Sequence, residues 1–225
     1  MEVAQIKGGH TVTAFDDEIA EIAIAINAMS HAATHALDAA MDALVSSDRT
    51  RAKELIAQDL RLDALETELE RKVTRCIALR APVADDLRYL MMAIRIAAML
   101  ERSGDHAKNM AKRTGTIDLR ASAPLMHKLR EMSRLGSSML AQSVECFNRG
   151  EAALAVVVRD RDDHLNAQFD AFTDLVTRAM REDEAFVPDG VQMLFISKQL
   201  ERVGDYAKKI ADSVNYIVTG EYLAA

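Results

Sequence analysis

Leu100-Glu101-Arg102-Ser103-Gly104-Asp105 returns as Leu200-Glu201-Arg202-Val203-Gly204-Asp205, 100 residues further along the chain. At the same offset Ile96 matches Ile196, Ala107 matches Ala207, Lys108 matches Lys208 and Ala111 matches Ala211, so the likeness spans several helical turns. The chain is two versions of one design. Within each version the carboxylates stand four apart, Glu101 with Asp105 and Glu201 with Asp205, which puts both on one helix face about one turn from each other. Two acids that close repel unless a cation sits between them.

Composition points the same way. Hydrophobic residues make up 49% of the 225 and aromatics only 4%, with no Trp, 9 Gly and 3 Pro, so the core must come from Ala, Leu, Ile, Val and 12 Met. That is the make-up of an all-α protein. Breaks at Ser47-Asp48, Leu79 to Pro82, Gly150-Glu151 and Asp183 to Gly190 divide the chain into six long helices, near 12–46, 48–79, 84–113, 121–149, 151–181 and 190–218. The expected architecture is two similar three-helix bundles, residues 1–115 and 116–225, joined through Thr114 to Pro124. Pro82 and Pro188 each precede a third helix, where a missing amide proton costs little.

A net charge of −7 argues against a nucleic-acid or anionic-membrane surface, both of which call for clustered Lys and Arg. No apolar run reaches the roughly 18 residues that a spanning helix needs, and Arg95 interrupts Leu90 to Leu100. The N-terminus lacks a basic segment followed by an apolar one, so a cytoplasmic protein without membrane insertion is expected. Cys76 and Cys146 lack CxxC spacing and read as small apolar residues in a reducing compartment.

The third helix carries a stripe of Leu87, Leu90/Met91, Ile94 and Ala97/Ala98 that runs in phase into Glu101, Asp105 and Asn109. Helix two keeps a face of Leu55/Ile56, Leu62, Leu69, Val73 and Ile77 with Asp59, Asp63 and Glu66 in its middle. Packed together, the two helices would bring four or five carboxylates and an amide to one place. Burying that charge unpaired costs several kcal/mol per group, on the order of the penalty for any ion leaving water, and a multivalent cation offsets it. Oxygen ligands favour Mg²⁺, Mn²⁺, Ca²⁺ or iron over zinc. Single Glu-Asp pairs also occur on solvated faces beside Arg61, Arg102, Lys108 or Lys112; recurrence in both halves favours a divalent or trivalent metal ion. Gly104 and Gly204, costly inside helices by about 1 kcal/mol, suggest close helix packing.

At these residues the sequence resembles the PhoU family of accessory and regulatory proteins of bacterial phosphate-specific transport. Leu79-Arg80-Ala81-Pro82-Val83-Ala84-Asp85-Asp86-Leu87-Arg88 resembles the family's entry to its third helix, the doubled E-x-x-x-D its signature, and Tyr216 to Glu221 its terminal Y-x-V-T-G-E. The resemblance implies two three-helix bundles with metal ions on their acidic faces, in a cytoplasmic, non-enzymatic, homodimeric protein that restrains the phosphate-starvation response. Its implied partners are the phosphate-transport ATPase and a PhoR-type sensor histidine kinase. Carried over residue by residue, Asp59, Asp63, Glu101, Asp105 and Asn109 fit the ligand pattern of the first half, and Asp162, Glu201 and Asp205 that of the second. Asn166 replaces an expected acid and Lys209 an expected amide, so formal ligand charge falls from −4 to −3, or to −2 if Lys209 turns inward and neutralises Glu201 or Asp205.

Other chemistry is thin. His31 and His35 are four apart on helix one but lack an HExxH context and read as a solvated face; His106 should point about 100° away from Asp105. Arg88, Arg95 and Arg102 recur at sevens and share a face that could meet an acidic partner. The alternative to a regulatory protein is a ferritin-like carboxylate metal enzyme or metal store, yet no Glu has a His three residues on, the pair that di-iron bundles use.

Overall fold

The computed structural model describes residues 13–58 and 60–222. Helix α1 spans Thr13–Ser46, α2 Arg49–Gln58, α3 Leu60–Arg80, α4 Ala84–Ala111, α5 Leu119–Arg149, α6 Ala152–Glu182 and α7 Val187–Thr219, with a single 3₁₀ turn at Glu184–Phe186. The short α2 and α3 flank residue 59 and together take the second place in the first bundle. The six expected helices are therefore present, most within a few residues of their expected ends.

Helices α1, α2/α3 and α4 pack as one bundle and α5, α6 and α7 as the other. Equivalent helices then meet across the middle, α1 against α5 and α4 against α7. Both pairs run antiparallel. Asn27 and Asn148 exchange amide hydrogen bonds of 2.8 and 2.7 Å between α1 and α5, and Arg88 Nε donates to the Ile217 carbonyl while Arg113 Nη1 donates to Gln192 Oε1 at opposite ends of α4 and α7. The two halves are thus related as by a twofold axis, and one continuous apolar core runs through both, from Ile26 and Leu69 to Leu140 and Phe172. Burying one such Leu or Phe side chain is worth about 1.5–3 kcal/mol, so the shared core holds the halves together.

The helix boundaries follow from backbone chemistry. Gly220, at φ 78°, caps α7 and returns its N–H to the Tyr216 carbonyl, while Asn215 Nδ2 donates to the Glu221 carbonyl and ties down the tail. This explains the Thr-Gly-Glu of the terminal motif. Pro82 precedes α4 as expected, whereas Pro188 lies within the first turn of α7 and not before it. The link between halves is shorter than the sequence suggests: α5 begins at Leu119 and carries Pro124 inside its second turn. So near the helix start, a missing amide proton forfeits one bond and does not break the helix.

The repeated glycines are packing notches. A Cβ on Gly104 would collide with the Leu62 side chain, and one on Gly204 with that of Leu165. Leu62 and Leu165 occupy equivalent places in their bundles, each a knob filling the gap left by a missing side chain on the third helix.

Candidate functional site

The innermost face of α4 is Tyr89, Leu90, Ala93, Ile96, Ala97, Leu100, Gly104, Ala107 and Met110. The stripe that leads into the acids lies beside it, with Leu87 and Met91 exposed and Ile94, Glu101, Asp105 and Asn109 part-buried. The acids therefore line the border between core and solvent, on the side of α4 that faces α3, and not the centre of the bundle. Two neighbouring helical stripes are both apolar here, and the acidic one is not the innermost.

In the first half, Asp63 and Glu66 project part-buried from α3. Burial, then the charges of Glu70 and Asp63, push the Glu66 carboxyl above its usual range, against a smaller opposing pull from Arg102. Like charges thus meet here without full compensation. Lys108 Nζ donates to Asp105 Oδ1, and Asn109 accepts from Lys112 Nζ at 3.2 Å. Asp59 lies outside the described residues. Among the described residues no three His, Cys, Asp or Glu side chains converge as a ready metal cage. The oxygen donor set, and the mutual repulsion at Glu66, fit a hard cation, provided that Lys108 releases Asp105.

The second half is arranged differently. Asp162 is 0% exposed on α6, and its Oδ2 accepts from Lys208 Nζ at 3.0 Å and from Asn166 Nδ2 at 3.3 Å. Glu201 Oε2 lies 2.7 Å from Lys198 Nζ, and Asp205 Oδ2 lies 3.6 Å from Arg202 Nη1. Lys209 is exposed, its ammonium 5.4 Å from the centre of the Tyr206 ring, so the expectation that Lys209 could turn inward and neutralise Glu201 or Asp205 is corrected. Lys208, one residue earlier and about 100° around the helix, is the inward cation.

Arg88, Arg95 and Arg102 all find partners inside the chain. Arg88 stacks over Tyr216 at 5.6 Å and donates to the Ile217 carbonyl, Arg95 donates to the Tyr222 hydroxyl at 3.1 Å, and Arg102 is hydrogen-bonded to Tyr206. They fasten α4 to α7 and the C-terminal tail while Arg95 and Arg102 keep an exposed surface. Sequence reading did not foresee the cluster on the axis, where His106 Nδ1 lies 2.6 Å from Gln199 Oε1 and its ring stacks 5.6 Å from that of Tyr206. A signal was present in the sequence: His106 and Tyr206 are the same position in the two copies, and an axis brings equivalent positions together.

His31 and His35 share the wall of an open cavity of roughly 440 Å³ with Arg61 and Lys108. The thiols of Cys76 and Cys146 are buried and pushed up to about 11 and about 12 by desolvation. Both stay protonated near neutral pH, which suits apolar packing and not metal ligation.

A two-bundle, all-helical protein with a carboxylate-bearing face repeated on each third helix defines a narrow class. The PhoU domain matches residues 26–114 and again 129–214. The chain is 33% identical over 215 residues to the phosphate-specific transport system accessory protein PhoU homolog of Zymomonas mobilis, covering 96% of this chain and 91% of that protein. It is 34% identical over 215 residues to the protein of the same description from Xylella fastidiosa, covering 95% and 89%. The crystal structure of PhoU from Pseudomonas aeruginosa superposes with a TM-score of 0.87 at 25% identity, over 92% of this chain and all of that one. The phosphate transport system regulatory protein PhoU from Streptococcus pneumoniae gives 0.87 at 27% identity, over 94% of this chain. The chain belongs to the PhoU family. No described helix is long and apolar enough to cross a membrane.

Proposed function

We propose that this chain is a regulatory accessory protein of phosphate-specific transport that restrains the phosphate-starvation response by docking on other proteins. The observation that carries this reading is the match of the PhoU domain to both copies, together with relatives described as phosphate-specific transport accessory proteins that align along nearly the whole chain. The docking partners in this reading are the transport ATPase and a PhoR-type sensor histidine kinase, in the cytoplasm, with the protein acting as a homodimer and not as an enzyme. The acidic face of the first half holds one hard cation, with Asp63, Glu101, Asp105 and Asn109 as its described ligands and Asp59 added from the sequence. Such a cation would take over the neutralisation that Lys108 gives Asp105, and its role is to brace the α3–α4 edge.

Affinity capture of the chain from its own cells, with and without phosphate, tests this reading. Recovery of the transport ATPase or the sensor kinase is expected. A clean deletion should also switch on phosphate-scavenging genes in phosphate-replete medium. Capture of neither partner, with normal repression in the deletion strain, would contradict the proposal.

A further inference from the structure

We infer that the second half carries its own cation: the Lys208 ammonium, seated on buried Asp162, fills the role proposed for a metal ion in the first half, and the second acidic face binds no metal. The contrast with the first half rests on the cation proposed above, whereas the role of Lys208 does not.

Asp162 is fully buried, and a carboxylate in that position must be paired or become too costly to keep ionised. Its Oδ2 is filled by two donors, Lys208 and Asn166. Its Oδ1 has no hydrogen-bond partner and lies 3.2 Å from the place a Cβ on Gly204 would take, so this oxygen faces the glycine notch of α7. Around the pair, Asp163 adds attraction and Arg159, 3.8 Å from Asp212, opposes it.

Two further acids have cations nearby. Lys198 Nζ lies 2.7 Å from Glu201 Oε2, an oxygen that makes no hydrogen bond, and Arg202 Nη1 lies 3.6 Å from Asp205 Oδ2. A divalent ion at these acids competes with the resident cations. To enter the second half it would have to expel Lys208 from a buried carboxylate and draw oxygens together that now face different cations.

The full-length protein, Lys208→Met, Asp162→Asn and the double variant should be unfolded in EDTA and titrated with Mn²⁺. Lys208→Met should lower the folding equilibrium constant by roughly tenfold or more, because it strands a buried carboxylate, and Asp162→Asn in the same chain should recover most of that loss. Asp162→Asn should bind as many Mn²⁺ ions as the wild type. If Lys208→Met fails to fold, Lys208→Arg, which keeps the charge, should fold with near wild-type stability. Loss of one bound Mn²⁺ in Asp162→Asn, or an unchanged stability of Lys208→Met in EDTA, would overturn the inference. A wild type that binds no Mn²⁺ while the stability cycle holds would remove the first-half cation and leave the role of Lys208 standing.

Discussion

The two acidic faces share an ancestry in sequence and differ in how they are neutralised. On α4, Glu101 and Asp105 are part-buried, and on α3 Glu66 is pushed up by burial and then by Glu70 and Asp63. On α7 and α6, Glu201, Asp205 and Asp162 each have a lysine or arginine of their own half within 4 Å. At the place of Glu66 the second half has Phe169, whose ring lies 5.1 Å from Lys198 Nζ. A repeated motif thus fixes where carboxylates stand but not what balances them. The balance is set by residues one helix away, where the copies have diverged.

The largest difference expected between the halves lies at the glycine notches. Gly204→Ala would press a methyl group on Leu165 and against Asp162 Oδ1, whose carboxylate is pinned by Lys208, whereas Gly104→Ala meets only the tip of Leu62. Overpacking of this kind costs about 1–3 kcal/mol, set against a gain of about 1 kcal/mol from removing a helical glycine. Gly204→Ala should therefore destabilise by about 2 kcal/mol and Gly104→Ala by about 1 kcal/mol or less, read from urea unfolding. The reverse order would mean that Asp162 is not held rigidly.

A smaller effect is expected at Glu66. Its folded-state pKa is raised, so its contribution to stability is present below the unfolded carboxylate range and lost as the pH rises through the raised value. At pH 7 the ionised group is a net cost. In EDTA, Glu66→Gln should stabilise by ~0.5 kcal/mol at pH 7, the scale of exposed charge pairs, and by almost nothing near pH 4. A gain equal at both values would show that packing, not charge, is responsible. The smallest effect is expected at Lys209, which is exposed over Tyr206: Lys209→Asn should leave both metal binding and stability within ~0.5 kcal/mol of wild type. A gain of Mn²⁺ binding would place its ammonium at the acidic face after all.

Much of the fold was legible because helix punctuation is local. Ser47, Gly150 and Gly220 mark ends that the backbone then uses, at φ 54°, 62° and 78°. The link before α5 is shorter than the Thr114 to Pro124 expected from sequence, because near the start of a helix Pro124 forfeits only one bond. The acids themselves were legible from spacing. Their depth was not, since the stripes through Leu87 and through Leu90 are both apolar and differ only by how α3 docks. Nor could spacing separate Lys208 from Lys209, because which of two adjacent residues faces α6 depends on the rotation of α7. The link between the halves at His106 and Tyr206 needed the antiparallel register of α4 and α7, which no single helix contains.

In the proposed reading the acidic face of the first half takes a metal ion while the second is neutralised from within. Crystals grown at limiting Mn²⁺ and measured at the manganese absorption edge test it most directly. The account predicts one anomalous peak among Asp63, Glu101 and Asp105, with Lys108 turned away from Asp105, and Lys208 still on Asp162. A peak of equal or greater height beside Asp162, Glu201 and Asp205 would contradict it.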